Sequence, residues 1–304
     1  MARLRWLSRV IILLTAFALG ACQSPYRAKR TQPDVVDHAQ SRAMTTYYAQ
    51  VQGDLLQQGL LRTDRGIENT PYSAEDLARN FTKIALYDEY QRGFSGMVKR
   101  EAESHLRRWE APIFVQLHFG SSVPEGKQAI DRVRIADYVS HLADVTGHDI
   151  RMTSTDGNFK IYIVSEEERR DLGPTITKSL PHLTLPDLRG ITNMSRSTYC
   201  LVYALSEGTS FIYSRAFAVI RAEHPDLMRQ SCFHEEIAQG LGLANDSPKA
   251  RPSIFNDDEE FALLTIQDEQ MLKMLYDPRL SIGMTAKEAA PIITLLAHEL
   301  MPPL

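Results

Sequence analysis

One short apolar run constrains this chain more than any other feature, because it decides where the remainder folds. Arg3, Arg5 and Arg9 precede residues 10–19, in which only Thr15 is polar, and Leu19-Gly20-Ala21-Cys22 follows. A membrane-spanning helix needs about 20 consecutive apolar residues, and polar residues 23–30 end this run too early. A basic start, a short apolar core and small residues before a cut are the order of a secretory signal. The expectation is a signal peptide over 1–21, a tether over 22–38 containing Pro25 and Pro33, and one globular domain over 39–304.

The Leu19-Gly20-Ala21-Cys22 ending resembles the lipobox of bacterial lipoproteins. That resemblance implies acylation of the Cys22 thiol, cleavage before it, and a lipid-anchored protein of the cell envelope facing the periplasm. Several acyl chains at about 0.8 kcal/mol per buried methylene make a durable anchor. Gln23 stands where Asp would favour inner-membrane retention, which points towards the outer membrane. The alternative is an ordinary secretory signal with an incidental cysteine.

The chain carries 34 basic and 38 acidic residues, a formal charge of −4. Losing the three leader arginines takes it to about −7. No basic stripe or arginine-rich arm stands out, so a nucleic-acid partner has no electrostatic footing. With Cys22 assigned to lipid, Cys200 and Cys232 remain as a pair in a compartment that oxidises thiols. They are expected to form a disulfide; the alternative is two buried free thiols.

Along the chain, 39–110 reads as a helical region. Tyr47, Val51, Leu55 and Leu56 share one helical side, Ser73 and Asp76 have capping-box spacing, and further helix continues to Trp109. Residues 112–119 and 159–164 read as strands, 131–146 as a helix ending at Gly147, and 173–186 as a Pro-containing connection. Residues 200–205 and 211–220 are strand-like around a Glu207-Gly208 turn; 227–243, 268–276 and 286–300 are helical. The order predicts an α+β domain: a mixed sheet with packed helices in 111–280, preceded by the helical region and followed by a C-terminal helix in 281–304.

Chemistry concentrates in residues 231–246. Reading from His234-Glu235 as a zinc-protease start fails, because Ala238 stands where the second imidazole belongs. One residue later, Glu235-Glu236-x-x-Gln239-x-x-Gly242-x-x-Asn245-Asp246 resembles the metzincin signature His-Glu-x-x-His-x-x-Gly-x-x-His-Asp. Glu235 and Gln239, four apart, share a helical face. Glu236 takes the general-base position, Gly242 turns the chain, and Asn245 takes the third ligand position. Pro252-Ser253-Ile254-Phe255-Asn256 is similar to the Met-turn segment, with Phe255 for methionine, and the helix from Asp268 to Leu275-Tyr276 is similar to the last helix of matrixin-type enzymes. The resemblance spans 112–276 and implies a zincin-like fold. Residues 84–90, the Glu235-Glu236 motif and residues 274–280 also resemble an uncharacterised family of Gram-negative lipoproteins, a domain of unknown function.

The substitutions decide the expected chemistry. Zinc favours imidazole and thiolate, whereas Glu235, Gln239 and Asn245 offer one carboxylate and two amide oxygens. That set suits a weakly held divalent cation such as calcium, magnesium or manganese, and otherwise implies no cofactor. Without a polarising metal Glu236 has little to activate water with. The leading expectation is therefore a non-catalytic domain that binds an envelope protein, a peptide or cell-wall material. The rivals are a peptidase-like hydrolase with Glu236 as base, and an assembly lipoprotein with no ligand pocket.

Other residues have blander readings. His234 reads as a helix-surface or supporting histidine, and Asp257-Asp258-Glu259-Glu260 as a solvated loop rather than extra cation ligands. Residues 146–149 read as a helix-ending turn, and Ser206, Ser210 and Ser214 lack a nucleophile elbow. Tyr199, Tyr203, Phe211, Tyr213 and Phe217 fit strand faces and core, and the 286–300 helix fits packing on the domain.

Overall fold

Capping chemistry fixes most helix starts. The computed structural model describes residues 38–301 except 67–69, 94–95, 181–182 and 257, with backbone alone over 89–101. Cys22 and the expected signal and tether, residues 1–37, lie outside the described residues. Ser73, Ser165, Thr184, Thr265 and Thr285 each accept from the backbone three residues on, while the acid there reaches back. Each such cap is worth about 1 kcal/mol. They open α2 (Ala74–Ala85), α4 (Glu166–Arg170), α6 (Leu185–Thr192), α8 (Ile266–Leu275) and α9 (Ala286–Leu300). The remaining helices are α1 (Ala39–Gln57), α3 (Glu125–Thr146), α5 (Gly173–Ser179) and α7 (Asp226–Leu241).

The strands are β1 (Tyr87–Gly93), β2 (Gly96–Glu103), β3 (Arg108–Trp109), β4 (Ile113–Phe119), β5 (Ile150–Thr153), β6 (Phe159–Val164), β7 (Cys200–Ser206) and β8 (Ile212–Arg221). The main sheet runs β3-β8-β6-β4-β5, every one of these pairs parallel, and β7 joins β8 antiparallel. The fold is α+β, as expected. Alternation along β6 and β8 divides two cores. Phe159, Ile161, Ile163, Ala216, Ala218 and Ile220 face the large core with α2, α3, α7 and α8. Tyr162, Val164, Phe217 and Val219 face a smaller one under α5 and α6. No described helix is long and apolar enough to cross a membrane.

Three expectations need correction. Residues 87–103 form an antiparallel hairpin, β1 with β2, not a helix continuing to Trp109. Gly93 and Gly96 each cost a helix about 1 kcal/mol, while Tyr87, Tyr90 and Val98 favour extended backbone. Residues 173–192 hold two short helices, each with proline in its first turn, too short for apolar periodicity to reveal. In α1, Tyr47, Val51 and Leu55 pack on the core cluster as expected, but Leu56 is 47% exposed and the buried residue is Tyr48, 0% exposed. Tyr48 donates to the Arg196 carbonyl and sits edge-on to His224.

Candidate binding site around the Glu235 helix

Helix α7 is held from both ends of its buried side. The Cys200–Cys232 disulfide ties it to β7 across 32 residues of sequence. Buried Arg229 reaches Asp131 of α3 at 3.0 Å, Asp226 at 2.9 Å and the His224 carbonyl at 2.8 Å. At the other end Gly240 packs so closely on β6 that a Cβ there would lie 2.5 Å from the Phe159 ring. Gly242 then turns the chain with φ +134°, and a Cβ on it would lie 2.3 Å from the Arg107 carbonyl oxygen. The turn predicted at Gly242 is thus required twice, by its positive φ and by the close approach.

The motif side chains go to different places. Glu235 and buried Glu236 come together beside the sulfur of Cys200, with ligand atoms within 4.8 Å of one another. Gln239 donates instead to Asp246 Oδ1 at 3.0 Å. Asn245 is buried and donates from its side chain to the Lys83 carbonyl at 2.9 Å, while its backbone N–H donates to the Ile84 carbonyl at 3.1 Å. The chain after Gly242 is therefore fastened to the C-terminal end of α2. The sulfur that joins the two carboxylates is locked in a disulfide. One carboxylate pair and a disulfide sulfur, with Gln239 turned to Asp246 and Asn245 to Lys83, supply neither the imidazole nor the free thiolate that zinc favours.

A small recess lies in front of Glu235, lined by Leu61, Tyr199, Met228 and Glu259. Leu61 comes from the segment after α1 and is 2% exposed at φ +54°, a conformation that side chains rarely adopt. Its N–H donates to the Glu259 carbonyl and that of Arg62 to the Glu260 carbonyl, both at 2.8 Å. Arg62 and Arg251 both pair with Glu260, at 2.9 and 2.5 Å. The acidic run is thus more than a solvated loop: Glu260 is ion-paired and buried, and Glu259 lines the recess, while Asp257 lies outside the described residues. Sequence reasoning missed Leu61, and its only signal is Gly59 two residues earlier at φ +76°.

Supporting groups surround α7. His234 stacks on Tyr138 with ring centres 4.0 Å apart, and its Nδ1 accepts from the Leu264 N–H at 3.1 Å. Burial pushes its pKa down to about 3, so the ring stays neutral and acts as a fastener. Asp268, wholly buried, accepts from Ser253 Oγ at 2.5 Å, Ile254 N–H at 3.1 Å, and Thr265 N–H and Oγ1, both at 2.9 Å. Burial pushes its carboxyl up to about 6 against these four donors. It thereby ties the 252–255 segment, with buried Phe255, to the start of α8. Tyr276 at the end of α8 donates to the Leu241 carbonyl at 3.1 Å, closing the frame under Gly242.

A family model described as a protein of unknown function, DUF2927, matches residues 74–295. The chain belongs to the DUF2927 family. The matched span runs from α2 into α9, so the DUF2927 domain contains the sheet, the disulfide and the whole Glu235 helix, while α1 and Leu61 precede it. Comparison with curated proteins and with solved structures finds no match.

Proposed function

We propose that this chain is an envelope lipoprotein, acylated at Cys22 and facing the periplasm, whose zincin-like DUF2927 domain binds a peptide, a protein or cell-wall material without turning it over. The observation that carries this reading is the fate of the three ligand positions. Glu235 faces a recess closed by Leu61, Gln239 is bonded to Asp246, and Asn245 is bonded to the end of α2. Support for zincin-like ancestry comes from the element order β4, α3, β5, β6, then the β7–β8 pair, then α7. The turn at Gly242 and the Asp268 bonds to the 252–255 segment point the same way. Outer-membrane placement rests on Gln23 alone.

A hydrolase is the second reading, favoured by the Glu235–Glu236 carboxylates meeting beside Cys200. Glu236→Gln separates the two. A binding domain keeps its crosslinks to envelope partners and shows no turnover of peptide or cell-wall substrates before or after the change. A hydrolase shows turnover that the change abolishes. The anchor has its own test. Cys22→Ala releases the protein from membranes or leaves it unprocessed; unchanged fractionation and unchanged mass exclude the anchor.

A further inference from the structure

A second concavity lies on the opposite face of the sheet from α7. It is an open cleft of about 390 Å³ at the N-terminal ends of β6 and β8, closed on one side by the end of α5. Lys160 of β6 and Arg215 of β8 point into the face that also carries Tyr162 and Phe217, since side chains alternate along each strand. Both cations converge on one residue. Lys160 Nζ lies 3.4 Å from Ser179 Oγ, and Arg215 Nη1 donates to the Ser179 carbonyl at 3.0 Å. Among the described residues neither makes an ion pair. An ammonium has three donors and a guanidinium five, so most of their N–H groups remain for a ligand. The same lining carries Asp156 and Glu207 at its turns.

That mixture selects a ligand. Two cations on neighbouring strands that both reach Ser179 can share one carboxylate, and the guanidinium fork suits it especially. Two acids in the same cleft oppose a polyanion such as a phosphate ester and favour a ligand with its own positive charge. The volume falls within the range of small-molecule sites. We propose that this cleft binds an amino-acid-like zwitterion, a free amino acid or the end of a short peptide, with its carboxylate on Lys160 and Arg215 and its ammonium towards Asp156 and Glu207. The proposal is independent of the reading of the Glu235 helix.

Glycylglycine titrated into the purified full chain, followed by calorimetry, tests it. The expected result is saturable binding that weakens at least tenfold for glycylglycinamide, which lacks the carboxylate, and at least tenfold in Lys160→Met and Arg215→Met. The unfolding temperature of each variant is measured alongside, to separate lost contacts from lost structure. Because the amide comparison uses the unaltered protein, it decides the matter even if a variant fails to fold. Equal binding of acid and amide, tighter binding of inorganic phosphate than of the dipeptide, or no saturable binding of either would overturn the proposal.

Discussion

Gly242 and Asp268 decide how the chain after α7 is built, one at the turn and one at the start of α8. A methyl group on Gly242 meets the Arg107 carbonyl and forces a positive φ on a residue with a Cβ. Gly242→Ala is therefore expected to lower stability by roughly 2–4 kcal/mol, read as a shift in urea midpoint. Asp268 has a folded pKa of about 6 against an ordinary 3.8. The folded state holds this proton more tightly than the unfolded chain does. Its protonation thus stabilises the fold fully below about pH 4, and that contribution is lost as pH rises through 6. At about 1.4 kcal/mol per unit the loss is roughly 3 kcal/mol. Asp268→Asn costs hydrogen bonds at every pH, but its deficit relative to the parent protein should shrink by about this amount between pH 4 and pH 7. A deficit constant over that range excludes the assignment. Both residues were legible in the sequence, Gly242 from its motif position and Asp268 from the resemblance of its segment to the last helix of matrixin-type enzymes. What each residue meets was not legible, because Arg107 and Ser253 are distant along the chain and no local pattern encodes the approach.

Elements hold to one another here through buried charge and one covalent link. Glu166 at the start of α4 accepts from Arg169 at 2.7 Å, Arg170 at 2.9 Å and Arg221 of β8 at 2.5 Å. Arg169 and Arg221 are each 1% exposed. The Glu166 N–H and Ser41 Oγ share Glu223 Oε1, and the Ser41 N–H donates to Glu167, which docks α1 beside α4. Glu166→Gln leaves two buried guanidiniums without their carboxylate and is expected to cost about 3–5 kcal/mol. Conversion of Cys200 and Cys232 together to serine is expected to cost about 3–4 kcal/mol, from the loop-closure entropy of some 30 residues. Both losses would be read as unfolding free energies against the parent chain, and changes under about 1 kcal/mol would contradict them. Long amphipathic helices were legible because periodicity averages over many residues, and β6 and β8 because each is a largely apolar run between turn residues. The short helices α4 to α6 and the four-residue β5 give periodicity too little length, and the strands of the hairpin at 87–103 are largely polar and offer no apolar run. Tyr48 was not legible as the buried residue of α1 because its partners, His224 and the Arg196 carbonyl, are distant along the chain.

Across the whole molecule the sheet separates two concavities. On one face α7 carries Glu235 and buried Glu236 beside a disulfide, and Leu61 lines the recess at Glu235. On the other face Lys160 and Arg215 line the larger cleft. The fold class was visible in the order of strands and helices, and the disulfide in the cysteine count. The division of faces was not visible, because it depends on which strands become neighbours. The proposed function requires that the Glu235–Asn245 segment hold no catalytic zinc. Its most direct test is the metal content of the full chain, purified without chelators and then exposed to millimolar zinc, manganese or calcium. Far less than one metal ion per chain is expected, before and after exposure. One tightly held ion per chain, lost in Glu235→Ala, would contradict it and make the hydrolase the leading reading.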